Sequence, residues 1–142
     1  MSNRVLEDLK KLKDIYSETA DFEIGKNLSV KLKILSSTDE TEVHTYAMQF
    51  EKGISYLFAI KKETVTRAII GLNGKEIPEF VEELNENGIV EKIQRHSWLR
   101  KNVIHGWSQL LVDAVWNKYA ILMAKVEDNI SDNIETEDTP KA

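Results

Sequence analysis

Cysteine is absent from this sequence of 142 residues. The chain therefore forms no disulfide, carries no thiolate nucleophile and offers no cysteine ligand to a metal. It also has no apolar run near the length of about 20 residues that a transmembrane helix needs, so we expect no membrane association. The N-terminus is charged from its fourth residue and lacks the apolar stretch of a secretory signal. These absences predict a protein that resides in the cytoplasm.

The negative charge is concentrated at one end of the chain. The formal net charge is −5, and the residues after Val126 hold six acids and one lysine. The residues before that point are neutral as a whole, which argues against nucleic-acid binding, because such binding depends on basic groups that neutralise phosphates. The apolar periodicity also stops at Val126. We therefore predict a single domain over residues 1–126 and an acidic, disordered tail over residues 127–142.

The first third of the chain predicts a helix and a β-hairpin. Apolar residues recur at helical spacing over residues 4–16, with charged residues between them. Over residues 21–35 the apolar residues alternate with polar ones on both sides of a turn at Gly25, which is typical of two antiparallel strands.

Helical patterns dominate the rest of the chain. Ser36 can cap a helix, and a second helix is expected from Ile54 to Leu72, ended by Asn73-Gly74. Residues 79–86 predict a weak acidic helix, and another helical stretch is expected from Ile89.

A long, mostly apolar helix over residues 97–126 is expected to organise the fold. Its tryptophans, Trp98, Trp107 and Trp116, are spaced nine residues apart, about two and a half helical turns. In a continuous helix Trp107 therefore points opposite to the other two and is expected to be the most buried. The predicted fold class is α+β: an N-terminal helix and β-hairpin followed by a helical bundle with one long central helix.

The sequence carries no recognisable catalytic or ligand-binding pattern. None of the three histidines has a second ligand at a metal-site spacing, and no phosphate-binding loop or nucleophile–base–acid arrangement is evident. We therefore predict no catalytic residue, no metal site and no cofactor, and we expect that the protein is not an enzyme.

A basic, aromatic segment follows the acidic residues 79–86. Trp and Arg are favoured anchors of protein interfaces, so Arg95, Trp98 and Arg100 are candidate protein-binding residues, together with Trp116. A solvated helix face is the alternative interpretation of the same residues.

Residues 21–77 resemble a known family. The segment combines a short hairpin, the polar run SSTDETEV, two helices and the stretch IKKETVTRAIIGLNGKEI. In this order it is similar to the small tail assembly chaperones and baseplate-hub assembly proteins of contractile-tailed bacteriophages. The later helix that contains Trp107 and Tyr119 is similar to the C-terminal helix of such proteins.

This resemblance implies a non-enzymatic function in tail or baseplate assembly. The protein would bind tail or baseplate proteins, as a chaperone in the host cytoplasm or as a minor structural component of the virion. The alternative is a small non-viral adaptor or regulatory module that also acts by binding protein.

Overall fold

A computed structural model describes residues 4–7, 18–50 and 53–134, without the side chains of residues 131–134. Helices and antiparallel strands are both present, so the predicted α+β class is confirmed. Residues 4–7 are helical and are called α1, whereas most of the predicted helix over residues 4–16 lies outside the described residues. The later elements are β1 (Thr19–Glu23), β2 (Ser29–Lys33), α2 (Ser37–Ala47), α3 (Ile54–Ala68), β3 (Ile69–Leu72), β4 (Lys75–Glu76), β5 (Phe80–Leu84), β6 (Val90–Gln94), α4 (Arg95–Asn102), a 3-10 helix (Ile104–Gly106) and α5 (Gln109–Ile134).

The predicted first hairpin is confirmed. β1 and β2 pair antiparallel, and Gly25 adopts a φ of 90° in the connection, a conformation that glycine reaches without strain. On β2, Val30 and Leu32 are buried while Lys31 between them points to the other face, as the two-residue period of a strand requires.

The helix predicted to run to Leu72 ends earlier. α3 stops at Ala68, and Ile69–Leu72 forms strand β3, which pairs antiparallel with β2. The β-branched pair at Ile69 and Ile70 suits a strand, and the pairing buries Ile69 completely. Asn73 and Gly74 have positive φ values of 50° and 81°, so they close a β-hairpin between β3 and β4 instead of ending a helix.

The helices predicted over residues 79–86 and from Ile89 are wrong. These residues form β5 and β6, an antiparallel pair in which Leu84 lies opposite Val90. The turn residue Gly88 has a φ of 74°, and the Asn85 side chain accepts hydrogen bonds from the backbone N–H groups of residues 87 and 89. The apolar spacing fits a helix and a strand equally, and the turn and cross-strand pairing favour the strand.

The predicted continuous helix over residues 97–126 is interrupted. α4 ends at Asn102, the 3-10 helix follows, and Trp107 is extended with a ψ of 140°. Ser108 then caps α5, since its Oγ accepts a hydrogen bond from the Leu111 N–H at 3.2 Å. Trp107 therefore does not lie on the same helix as Trp98 or Trp116, and the nine-residue spacing does not set the directions of the three side chains. All three tryptophans are partly buried.

α5 continues to Ile134, past the predicted domain boundary at Val126. Residues 127–134 are therefore helical, and Ile130 packs against the core. The predicted tail from residue 135 on lies outside the described residues, and the assignment of a single domain stays a prediction.

The core lies between the inner face of the four-stranded sheet and helices α3, α4 and α5. Its fully buried side chains include Leu32, Ile69, Leu99, Ile104 and Leu122. Among the described residues, no helix is long and apolar enough to cross a bilayer.

Candidate protein-binding surfaces

Glu63 of α3 is a buried carboxylate, with 1% of the residue exposed. Arg67 lies one turn later on the same helix, and its Nε is 3.2 Å from Glu63 Oε1. Arg100 of α4 donates from Nε to Glu63 Oε2 at 3.2 Å and also binds Oε1 through Nη2. Two guanidinium groups therefore compensate one buried charge, which would otherwise be costly to hold in the interior.

The same cations reach helix α2. Arg67 Nη1 pairs with Glu42 and lies 3.6 Å from Asp39 Oδ1. The Arg100 guanidinium lies 5.2 Å from the centre of the Tyr46 ring, within the range of a cation–π contact. We call Asp39, Glu42, Glu63, Arg67 and Arg100 the Glu63 network, and it joins α2, α3 and α4.

A polar cleft of about 350 Å³ opens beside the Glu63 network. It is lined by Lys33, Asp39, Glu42, Arg67, Glu79, Gln94, Arg95 and His96. Burial, with the Arg67 and Arg100 cations, lowers the pKa of His96 below its usual value, so the neutral imidazole is favoured. The acidic and basic side chains that line the cleft alternate, and several of them form ion pairs with one another. Such a cleft is more typical of a contact between helices and strands than of a binding site for an anion or a cation.

The four predicted protein-binding residues all make contacts inside the chain. Arg95 donates from Nη1 to the Ile77 carbonyl at 3.1 Å, and burial lowers its pKa. Arg100 binds Glu63. Trp98 and Trp116 are partly buried against the core, and the Trp116 ring centre is 6.1 Å from that of Tyr119.

The structure thus places Arg95, Trp98 and Arg100 on α4 and Trp116 on α5. All four residues are partly buried. Their role in binding a partner stays a prediction.

Large apolar side chains are exposed where α2 is connected to α3. Met48 is 74% exposed and Phe50 is 42% exposed, just after the end of α2. Ile54 is 84% exposed and Leu57 is 61% exposed, in the first turn of α3. Ile54 and Leu57 are three residues apart on a helix and so share a face. We call these four residues the helix-corner patch.

A second exposed surface is the outer face of the β5–β6 hairpin. Its register places three cross-strand pairs on one face, namely Phe80 with Gln94, Glu82 with Lys92 and Leu84 with Val90. All six residues are exposed, whereas Val81 and Ile93 on the opposite face are partly buried. We call the six residues the hairpin face.

Neither surface was predicted from the sequence. The alternation of Phe80, Glu82 and Leu84, followed by Asn87-Gly88, could have indicated the hairpin. For Ile54 and Leu57 the sequence gives no such signal, because a helical stripe has the same pattern whether or not another element covers it.

Within residues 4–7, 18–50 and 53–134, no group of His, Asp and Glu side chains is arranged to hold a metal ion. No protein-family model matches this sequence, and no curated protein or solved structure shows significant similarity to it.

Proposed function

We propose that this protein is a non-enzymatic assembly factor of a contractile phage tail or its baseplate. It acts in the host cytoplasm, as a chaperone or minor structural component, by binding a tail or baseplate protein. The resemblance of residues 21–77 to such assembly proteins motivates the proposal. The structural observation that supports it most is the helix-corner patch.

The helix-corner patch has the properties of a docking surface. Ile54 and Met48 expose most of their surface, and Leu57 and Phe50 lie near them along the chain. Exposed apolar residues that share a surface, as Ile54 and Leu57 do on α3, can mark a site of protein interaction. Full burial of one such side chain contributes about 1.5–3 kcal/mol, so a partner that covers the patch gains a substantial driving force.

Arg100, one of the residues predicted from the sequence, fits this proposal as a neighbour of the interface more than as its centre. Arg100 compensates Glu63 and contacts Tyr46, whose ring lies 5.7 Å from that of Phe50. A partner on Phe50 would therefore lie near the Glu63 network. Replacing Arg100 would disturb folding and binding together, so it is a poor probe of binding.

The test is capture of purified tail and baseplate components by the wild type and by an Ile54→Ser/Leu57→Ser variant. We expect the variant to lose at least roughly 30-fold in affinity, the loss that defines an interface hot spot. A matched control is Leu110→Ser/Ile121→Ser on α5, where the two apolar side chains are 82% and 56% exposed.

Circular dichroism verifies that both variants are folded. Loss of capture by the corner variant alone supports the proposal. Equal capture by the wild type and both variants would move the interface away from the helix corner, and absence of capture by the wild type would contradict the proposed function.

A further inference from the structure

The hairpin face belongs to a sheet of only two strands among the described residues. Its apolar side chains are largely exposed, with Leu84 at 66%, Val90 at 58% and Phe80 at 51%. A two-stranded hairpin is marginally stable in water unless one face is covered. Here the inner face contacts α4, where Lys101 Nζ lies 3.0 Å from Glu83 Oε1. On the outer face, all six side chains are exposed to solvent.

The centre of the hairpin face carries one charge of each sign. Glu82 and Lys92 are cross-strand neighbours there. Within the described part of the chain, neither forms an ion pair. The face therefore has exposed apolar side chains at its ends and, at its centre, one acid and one base that form no ion pair among the described residues. A partner that places a base opposite Glu82 and an acid opposite Lys92 would complement it.

We propose that this partner is a second copy of the chain, which covers the hairpin face about a two-fold axis parallel to the strands. This axis places each residue opposite one residue of the second copy. That residue has the same number as the cross-strand neighbour within the first residue's own hairpin. Glu82 then meets Lys92 of the second copy, and Leu84 meets Val90 of the second copy. The charges are matched, and so are the apolar side chains of Leu84 and Val90, whereas Phe80 meets Gln94 of the second copy at the other end of the face.

Other arrangements of two copies match less well. A two-fold axis across the strands would place Glu82 against Glu82 and Lys92 against Lys92, and like charges in contact are destabilising. Edge-to-edge pairing of two β5 strands would bring together Glu82 and Glu83 of both copies without an intervening base. The charge pattern therefore selects one geometry.

The size of the face limits the affinity. Strands of five residues, at about 3.4 Å per residue and about 4.8 Å apart, cover much less than the roughly 800 Å² that each partner buries in a standard interface. We therefore expect a reversible dimer that is populated at high protein concentration. This interface is separate from the helix-corner patch, so the two proposals can fail independently.

Sedimentation equilibrium over a wide concentration range tests the proposal with reciprocal charge reversals. Glu82→Lys alone and Lys92→Glu alone each place like charges in contact at two symmetric positions, and we expect each to weaken dimerisation on the order of tenfold. An equal mixture of the two variants restores opposite charges at both positions, so it should dimerise about as strongly as the wild type.

The mixture is decisive because each variant carries two like charges in its own hairpin. Opposite charges can therefore meet only between the two variants, so restored dimerisation must come from contact between the chains. Glu86→Lys in the adjoining turn is the matched control, with the same change of charge at an exposed residue outside the face, and it should dimerise like the wild type. A monomeric wild type, single variants that associate like the control, or a mixture no stronger than its components would each overturn the proposal.

Discussion

Arg100 Nε lies 3.2 Å from Glu63 Oε2, across a separation of 37 residues in the chain. The contact joins α4 to α3 and, with Arg67, compensates a carboxylate that has almost no access to water. The residue that sequence reasoning assigned to a partner thus stabilises the protein's own interior.

Arg100→Ala is expected to destabilise the fold by about 3 kcal/mol. This is the lower end of the range for breaking a buried ion pair, because Arg67 still contacts Glu63 and because the Arg100 side chain is 31% exposed, so that water screens part of the charge. Urea denaturation followed by circular dichroism measures the loss. The matched control is Lys101→Ala, whose side chain is 69% exposed and which should cost less than about 1 kcal/mol. A loss of stability in Arg100→Ala as small as that expected for Lys101→Ala would show that the Glu63 network contributes little.

Gly71→Ala is expected to destabilise the protein, whereas Gly106→Ala is not. A Cβ at position 71 would lie 3.1 Å from the Lys75 carbonyl oxygen and 3.2 Å from Lys31 Cβ, beneath the Lys31–Glu76 ion pair. We expect a cost of about 1–3 kcal/mol from this crowding.

A Cβ at Gly106 meets nothing within 4 Å, and loss of chain entropy in the unfolded state should make that substitution neutral or stabilising by up to about 1 kcal/mol. Urea midpoints of the two variants test the contrast. The reverse order of stabilities would contradict the packing described for the sheet.

His96 is expected to make stability depend on pH. Its pKa in the folded protein lies below the usual value of 6.5, so the unfolded chain binds a proton more readily. The contribution of neutral His96 is therefore complete above pH 6.5 and is lost as the pH falls through the folded pKa. Carboxylates contribute to acid sensitivity as well, and a histidine control is needed to separate them.

Melting temperatures from about pH 7.5 to about pH 5 measure the effect. His96→Asn should lose less stability on acidification than the wild type, and His105→Asn, at an exposed histidine, should behave like the wild type. Parallel pH profiles for the wild type and His96→Asn would show that His96 does not act in this way.

Truncation after Val126 is expected to destabilise the fold, and truncation after Ile134 is not. The shorter chain loses Ile130, which packs on the core, and Asn129, whose Nδ2 lies 3.4 Å from Glu18 Oε2. The burial of Ile130 alone corresponds to about 1–2 kcal/mol. Residues 135–142 include no large apolar side chain. Thermal melts of both truncations decide whether the domain ends at Val126 or includes the last turns of α5.

The local elements were predictable where a signal lies within a few residues. Alternation around Gly25 predicted the β1–β2 hairpin, and the Ser36 side chain caps α2 by accepting a hydrogen bond from Asp39 N. The hairpin and the helix cap both depend on contacts between residues that are close in the chain, so the sequence pattern predicts them. Ser108, which caps α5, is also such a local signal. It was not recognised because the apolar residues keep the same helical spacing on both sides of the interruption between α4 and α5.

The sequence by itself therefore determined the α+β class, the first hairpin, and the start of α2. Tertiary structure decided the rest. Ile69 and Ile70 could continue a helix until β2 offers a strand to pair with, and Phe80–Leu84 has apolar spacing that suits either structure until Val90–Gln94 returns beside it. The position of Arg100 next to Glu63 depends on the packing of α4 on α3, since a buried charge needs compensation from residues far away in the chain. Such pairings arise only when distant segments meet, so residue periodicity along one segment cannot specify them.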